Sequence, residues 1–495
     1  MKRLWFFALP ILSFWTAACG NGGPGTFTTP PPPDVQVQIS NGTSGSFNVA
    51  MSTSFQPAEW DYQFFTNNPT ATTTLGNLQS QHIRLQAVSQ GVPQTSASTW
   101  DFSIEDAITQ PVLSVADHSP EFQIAVAPDF MYDANHNFLD PTYAQFAAYT
   151  ADLVRYYNTG GFTSSDAVFH VSPAYPNQTI TWWGIYNEPN FNELTPTQYT
   201  ALYNEVVPAM QLVDKTIKFA AVELGDYSGL AATYLPDFVN GVTAHVDVLA
   251  THFYSSCDQT DTDTMVFGTV PGFATEVQSI YSQLQTNPAL VNVPVWILEN
   301  NVNADYANAQ GNSSCHPNQV FVPDQRGSSA FFAAWRPYVF SQLGKVGAQA
   351  LYHWDFDADV QFGEVQYSND TIQLSYWVDY WLARMFPSPP GAKILNFTNS
   401  DDTDIEVLAV QNPDDSVVIM LANHSVQSPS DNNGPGATHT IGLDLSALPQ
   451  FTSGTSLAIN ADTDVTTGPT QDSFTPASQI TVTMSGYGVT FLTLK

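Results

Sequence analysis

The sequence predicts a (β/α)8 barrel followed by a C-terminal all-β sandwich, and three observations carry that prediction. Eight short apolar runs recur between residues 47 and 354. Amphipathic helical patterns fall between them, and beyond residue 387 the apolar runs continue while the helical patterns stop. A chain of 495 residues has room for both domains. With 43% hydrophobic and 13% aromatic residues it can bury a sizeable core, which excludes disorder of the whole chain.

The first 19 residues read as an export signal. Met1-Lys2-Arg3 is a short basic region, and the apolar run Leu4–Ala18 is too short for a comfortable membrane span. It ends Thr16-Ala17-Ala18-Cys19-Gly20, which resembles a bacterial lipobox with Thr16 where leucine is usual. The expectation is an exported chain with a lipid anchor on Cys19, in the periplasm or at the cell surface. Ordinary signal cleavage and secretion is the alternative. Residues 20–34, glycines and then prolines, form a linker that cannot pack.

The barrel is expected over residues 35–387. Its strands are a first one near Phe47–Ser54, then His82–Gln86, Phe122–Ala127, Thr181–Tyr186, Ile217–Val222, Val246–His252, Val293–Leu298 and Ala348–Trp354. Helices are expected at Tyr143–Tyr157, Pro196–Val213, Thr275–Thr286 and Ser328–Leu343, the first started by Asp140-Pro141. No repeat of solenoid or propeller length is present. No glycine-rich phosphate loop follows the first strand, which argues against an open doubly wound sheet. The sandwich, residues 388–495, is marked by Ile405–Val410, Ser416–Ala422, His439–Leu443 and Gln479–Met484, separated by Asn, Asp, Gly and Pro turns. It reads as a module packed against the barrel.

Charge narrows the partners. Twelve Lys+Arg against 45 Asp+Glu give a net charge of −33, which repels phosphate backbones and argues against nucleic acid. Any membrane contact is expected only through a lipid on Cys19. Apart from that residue the chain has two cysteines, Cys257 and Cys315, both in polar loops, which in an oxidising compartment reads as one disulfide. The segment Asp133-Ala-Asn135-His-Asn137-Phe-Leu-Asp140 has calcium-like spacing but lacks the mid-loop glycine and the closing acid, and reads as a polar barrel loop.

Barrel chemistry sits where strands end, at the carboxyl face. The fourth run ends Asn187-Glu188-Pro189-Asn190 and the seventh ends Leu298-Glu299-Asn300. Two glutamates therefore emerge at one rim. Glycosidic bond cleavage requires such a pair: one carboxylic acid protonates the leaving oxygen, and one carboxylate attacks the anomeric carbon or activates water. Glu223, at the end of the fifth run, either lines the cleft or is an inert rim carboxylate.

With these residues in place the sequence resembles the clan A glycoside hydrolases, retaining enzymes on (β/α)8 barrels. The resemblance spans about residues 45–385. It rests on Asn187-Glu188-Pro189, Glu299, His252-Phe253-Tyr254 and Trp354, in strand order. It is nearest to family 39, the β-xylosidase and α-L-iduronidase group, with family 5 sharing most motifs. The resemblance implies Glu188 as acid/base and Glu299 as nucleophile. It implies Asn187 on the sugar 2-hydroxyl, Tyr254 holding Glu299, His252 beside the pair, and Trp354 as a stacking floor. Arg84 matches an arginine that supports the nucleophile region, while Gln86 stands where family 39 members carry histidine.

The resulting expectation is a retaining β-glycoside hydrolase acting on a carbohydrate, xyloside-type plant polysaccharide first, with no metal or organic cofactor. Its carboxyl groups should lie about 5–5.5 Å apart. The alternatives are a non-catalytic glycan-binding surface lipoprotein on a barrel scaffold, or a structural envelope lipoprotein.

Overall fold

The computed structural model describes residues 33–56, 62–86, 92–115, 120–191, 194–225, 233–387 and 389–495. The signal segment, most of the linker and the lipidation expected at Cys19 lie outside the described residues.

Eight parallel strands close a barrel: Ala50–Phe55, Ile83–Leu85, Glu121–Ile124, Trp182–Ile185, Lys218–Leu224, Val248–Ser256, Val295–Asn303 and Ala350–His353. The eighth closes on the first, with Leu351 opposite Met51. The strands are apolar almost without alternation because both faces are covered. Trp183, Phe219, Leu249, Ile297 and Leu351 face the helices. Trp182, Ala220, Val248, Trp296 and Tyr352 fill the barrel interior. There the rings of His82 and Trp182 pack tilted against Trp296, with centroids 4.5 Å and 4.4 Å away.

The expected helices form with shifted ends. Helix Pro196–Val213 is started by Thr195, whose hydroxyl accepts from Gln198 N while the Gln198 side chain answers to the Thr195 backbone. Asp140 Oδ2 accepts from Gln145 N and steadies the start of helix Ala144–Asn158. Thr275–Thr286 is the second half of a longer helix, Asp263–Leu284. Its Pro271 and two glycines read as a break in sequence. The apolar stripe Val266, Phe267, Val270, Phe273 and Val277, buried against the barrel, carries the helix through them. Among the described residues, no helix is long and apolar enough to cross a membrane.

The C-terminal domain is a nine-stranded, mostly antiparallel sheet, and its membership corrects the expected boundary at residue 35. Strand Val35–Ser46, assigned above to the barrel, lies in the sheet between Lys393–Asn399 and Thr438–Asp444. The reason is visible in its pattern. Val35, Val37 and Ile39 are buried while Gln36 and Gln38 are exposed, so only one face is apolar, whereas the barrel strands are covered on both.

The sheet has two apolar faces with different jobs. Val35, Val37, Ile405, Val407, Ile419, Ile441 and Leu492 enclose a core of its own. Leu408, Val410, Val418, Met420 and Phe491 join the barrel core instead, against helix Ala330–Val346. A polar clasp adds to this contact. Asp263, fully buried, accepts from Asn433 N and Gly434 N, both at 2.8 Å, and from Tyr487 Oη at 3.1 Å. Asn432 Nδ2 donates to the carbonyls of Gln259 and Asp261. The expected disulfide is present: Cys257 and Cys315 join the loops after the sixth and seventh barrel strands, with Cα atoms 6.0 Å apart.

Candidate active site

The fourth barrel strand ends in strained backbone. Tyr186 and Glu188 have φ of 69° and 43°, and Val222 and Glu223 at the end of the fifth strand have 81° and 41°. Non-glycine residues there cost about 1–3 kcal/mol each, and such strain gathers at functional sites. Surrounding bonds hold it: Tyr186 N donates to Ile124 O, Asn187 N to Ala125 O, and Glu188 N to Glu223 O. Asn190 and Gly225 exchange two further bonds, Nδ2 to the Gly225 carbonyl and Gly225 N to Oδ1. A methyl group on Gly225 would collide with the Glu188 carboxylate, so this glycine makes the space the acid occupies.

Glu299, on the seventh strand, faces Glu188 across the mouth. One carboxylate oxygen of each, together with a nitrogen of His252, lie within 4.8 Å of one another. His252 Nδ1 sits 2.8 Å from Glu188 Oε1 and 3.4 Å from Glu299 Oε2. Tyr254 Oη donates to Glu299 Oε2 at 2.8 Å, and Arg84 Nη1 donates to Glu299 Oε1 at 2.9 Å. The Glu188 side chain is 24% exposed and that of Glu299 is 7% exposed, so the first opens toward solvent and the second is enclosed.

Arg84 is the hub beneath the pair. Fully buried, it donates from Nη1 to Gln86 Oε1 as well, and from Nη2 to Asn187 Oδ1 at 2.9 Å and Glu223 Oε2 at 2.8 Å. Burial opposes its charge, but Glu223, Glu299 and Glu121 outweigh that and raise its pKa. Burial pushes the Glu223 carboxyl up against the pull of Arg84 and His252. Burial would also raise Glu299. The charges of His252 and Arg84 and the hydrogen bonds from Tyr254 and Arg84 prevail, and hold it below the usual carboxylate range. His252 is held above the ordinary imidazole value: burial favours its neutral form, but Glu299 and Glu188 outweigh it.

Trp354, at the end of the eighth strand, is half-buried and stands edge-on to Phe362 at 4.8 Å and to Tyr254 at 6.5 Å. Its backbone is fixed by bonds from Trp354 N to Asn300 O and from Asn301 Nδ2 to Trp354 O. The site thus gathers Arg84, Asn187, Glu188, His252, Tyr254 and Glu299, with Trp354 at its edge.

Glu223 neither lines an open cleft nor rests on the rim; it lies inside the barrel, ion-paired to Arg84. Gln86, named above only as a departure from a family pattern, is itself a partner of Arg84. Asp133 and Asp140 spend their carboxylates on local backbone, Asp133 on Asn135 N and Asn137 N, and Asp140 on Thr142 N. Glu188, His252 and Glu299 also have the spacing to hold a cation, but Arg84 already supplies positive charge at Glu299.

The fold and these side chains define a class: a (β/α)8 barrel with paired glutamates at the carboxyl ends of its fourth and seventh strands, and a sheet domain attached. Solved structures share that fold. The catalytic domain of a family 30 glycoside hydrolase, xylanase C from Talaromyces cellulolyticus, superposes with a TM-score of 0.58 at 14% identity, covering 93% of this chain and 100% of that one. A family 39 β-xylosidase from Caulobacter crescentus gives 0.59 at 13% identity over 93% and 99%. A conserved exported protein from Bacteroides fragilis gives 0.62 at 12% identity over 92% and 99%. The resemblance to family 39 therefore extends to the fold, with family 30 beside it. No family model matches the sequence. No curated protein matches it either.

Proposed function

We propose that this chain is a retaining β-glycoside hydrolase acting on a xylose-containing polysaccharide or oligosaccharide. The observation that carries the reading is the spacing of Glu188 and Glu299, whose nearest described oxygens fall within 4.8 Å. Oxygens that close are compatible with the about 5–5.5 Å between the carboxyl groups of retaining enzymes. The xylose preference rests on neighbours described as xylanases and β-xylosidases.

In the first step the ionised Glu299 attacks the anomeric carbon, the glycosidic C–O bond breaks, and Glu188 gives its proton to the departing oxygen. In the second, Glu188 takes a proton from water, the water oxygen bonds the anomeric carbon, and Glu299 leaves as a carboxylate. Arg84, His252 and Tyr254 keep Glu299 ionised and aimed. Asn187, its amide oxygen held by Arg84, is assigned to the sugar 2-hydroxyl, and Trp354 to the apolar face of the ring being cleaved. No step requires a metal or organic cofactor. Export, with lipidation at Cys19, belongs to the same proposal and is supported by the disulfide between Cys257 and Cys315.

The test is hydrolysis of aryl β-xyloside, glucoside, galactoside, mannoside and glucuronide, with xylan and glucan, by the wild type and Glu299→Ala. Release from one glycone that vanishes in the variant supports the reading. Silence on every glycoside and polymer overturns it.

A further inference from the structure

Phe191 follows the acid by three residues, and its phenyl ring is 56% exposed. Its backbone is nonetheless held in place. Phe191 N donates to Glu188 O at 2.9 Å, and the preceding Asn190 is locked to Gly225 by two hydrogen bonds. A methyl group on Gly225 would meet Phe191 Cε2 at 2.7 Å as well as the Glu188 carboxylate, so the ring edge and the acid are neighbours. Among the described residues no other aromatic ring pairs with it.

We propose that Phe191 is the platform for the leaving-group sugar, and hence that the natural substrate carries a neutral sugar, not a small alcohol, on that side of the scissile bond. The inference rests on the assignment of Glu188 as the acid. The acid must reach the leaving oxygen, so a ring beside it borders the group that departs. Glu299, Tyr254 and Trp354 belong to the sixth to eighth strands, whereas Phe191 stands over the fourth and fifth, on another part of the ring. A flat exposed ring suits the apolar C–H face of a pyranose and has no charge for an anionic group. Other large apolar side chains are exposed on the same face: Tyr62, Leu139, Tyr306 and Tyr367, in loops after the first, third, seventh and eighth strands. A polymer-binding surface would extend along them.

The experiment compares kcat/KM on two substrates sharing the glycone that the aryl glycoside panel selects: a β-linked oligosaccharide and the glycosyl fluoride, whose leaving group is one atom. In Phe191→Ala the ratio of oligosaccharide to fluoride activity should fall about tenfold, largely through KM. In Phe191→Tyr the ratio should hold. An unchanged ratio in Phe191→Ala, or an equal loss in both variants, overturns the platform while leaving the hydrolase reading intact. A wild type that cleaves neither substrate overturns that reading and the platform with it.

Discussion

The Tyr254 hydroxyl donates a 2.8 Å hydrogen bond to Glu299 Oε2, and its own phenol is kept protonated by burial and by that carboxylate. The bond favours the ionised carboxylate, so its loss must raise the Glu299 pKa. Tyr254→Phe should lower kcat/KM by about 10–100-fold, the worth of a hydrogen bond to a charged group. It should also move the acidic limb of the pH–rate profile to higher pH. A profile that keeps its limb would mean Tyr254 does not act on Glu299.

Gly225 tests the space given to the acid. Gly225→Ala should depress hydrolysis by at least about tenfold, because the methyl displaces the Glu188 carboxylate from its leaving oxygen. The thermal midpoint, read on the same preparation, should change little if the carboxylate swings toward solvent. Unaltered kinetics would show that Glu188 need not stand where it does.

Arg84 tests buried charge. Arg84→Met leaves Glu223 and Glu299 enclosed without their partner, and breaking such an arrangement costs about 3–5 kcal/mol. Urea unfolding should register that loss, and adding Glu223→Gln should recover part of it. Recovery distinguishes an orphaned carboxylate from simple loss of packing.

His252 gives stability a pH dependence whose sign follows from its raised pKa. The protonated ring between two carboxylates stabilises the fold fully below about 6.5, the unfolded value, and that contribution fades as pH rises through the folded value. The stability difference between wild type and His252→Asn should therefore shrink from pH 6 to pH 9. A difference that grows over this range would contradict the assignment.

Asp263 joins the two domains. Asp263→Ala strips the partner from two backbone amides and Tyr487, and should destabilise the protein by about 3 kcal/mol. Calorimetry should show the single transition broaden or divide.

The barrel and the glutamate pair were legible because both have local signatures: apolar runs covered on two faces, and acids at strand ends. The position of strand Val35–Ser46 was legible in its alternation, yet sequence proximity placed it with the barrel. Glu223 was not legible. Nothing in Ala-Ala-Val-Glu-Leu says that the acid turns inward, because the charge that holds it there, Arg84, is 139 residues away. Gln86 has the same cause: its role exists only once Arg84 is inside the barrel. Helix Asp263–Leu284 was half legible, since Pro271 disguises a segment that long-range packing keeps helical.

Strand Val35–Ser46 also sets an order of events for a chain made from its N-terminus. It emerges before any barrel residue, yet its register puts Val35 opposite Ile441 and Val37 opposite Asn399, which are made after the last barrel strand. The barrel is thus an insertion within the sheet domain, and can close while that domain still lacks most of its strands. Until synthesis passes residue 399 the early strand holds two unsatisfied edges, and until residue 444 it still holds one, beside an apolar face of Val35, Val37 and Ile39. A chain halted after the barrel would carry that strand as an adhesive flap, so the vulnerable species in production is the nearly finished one.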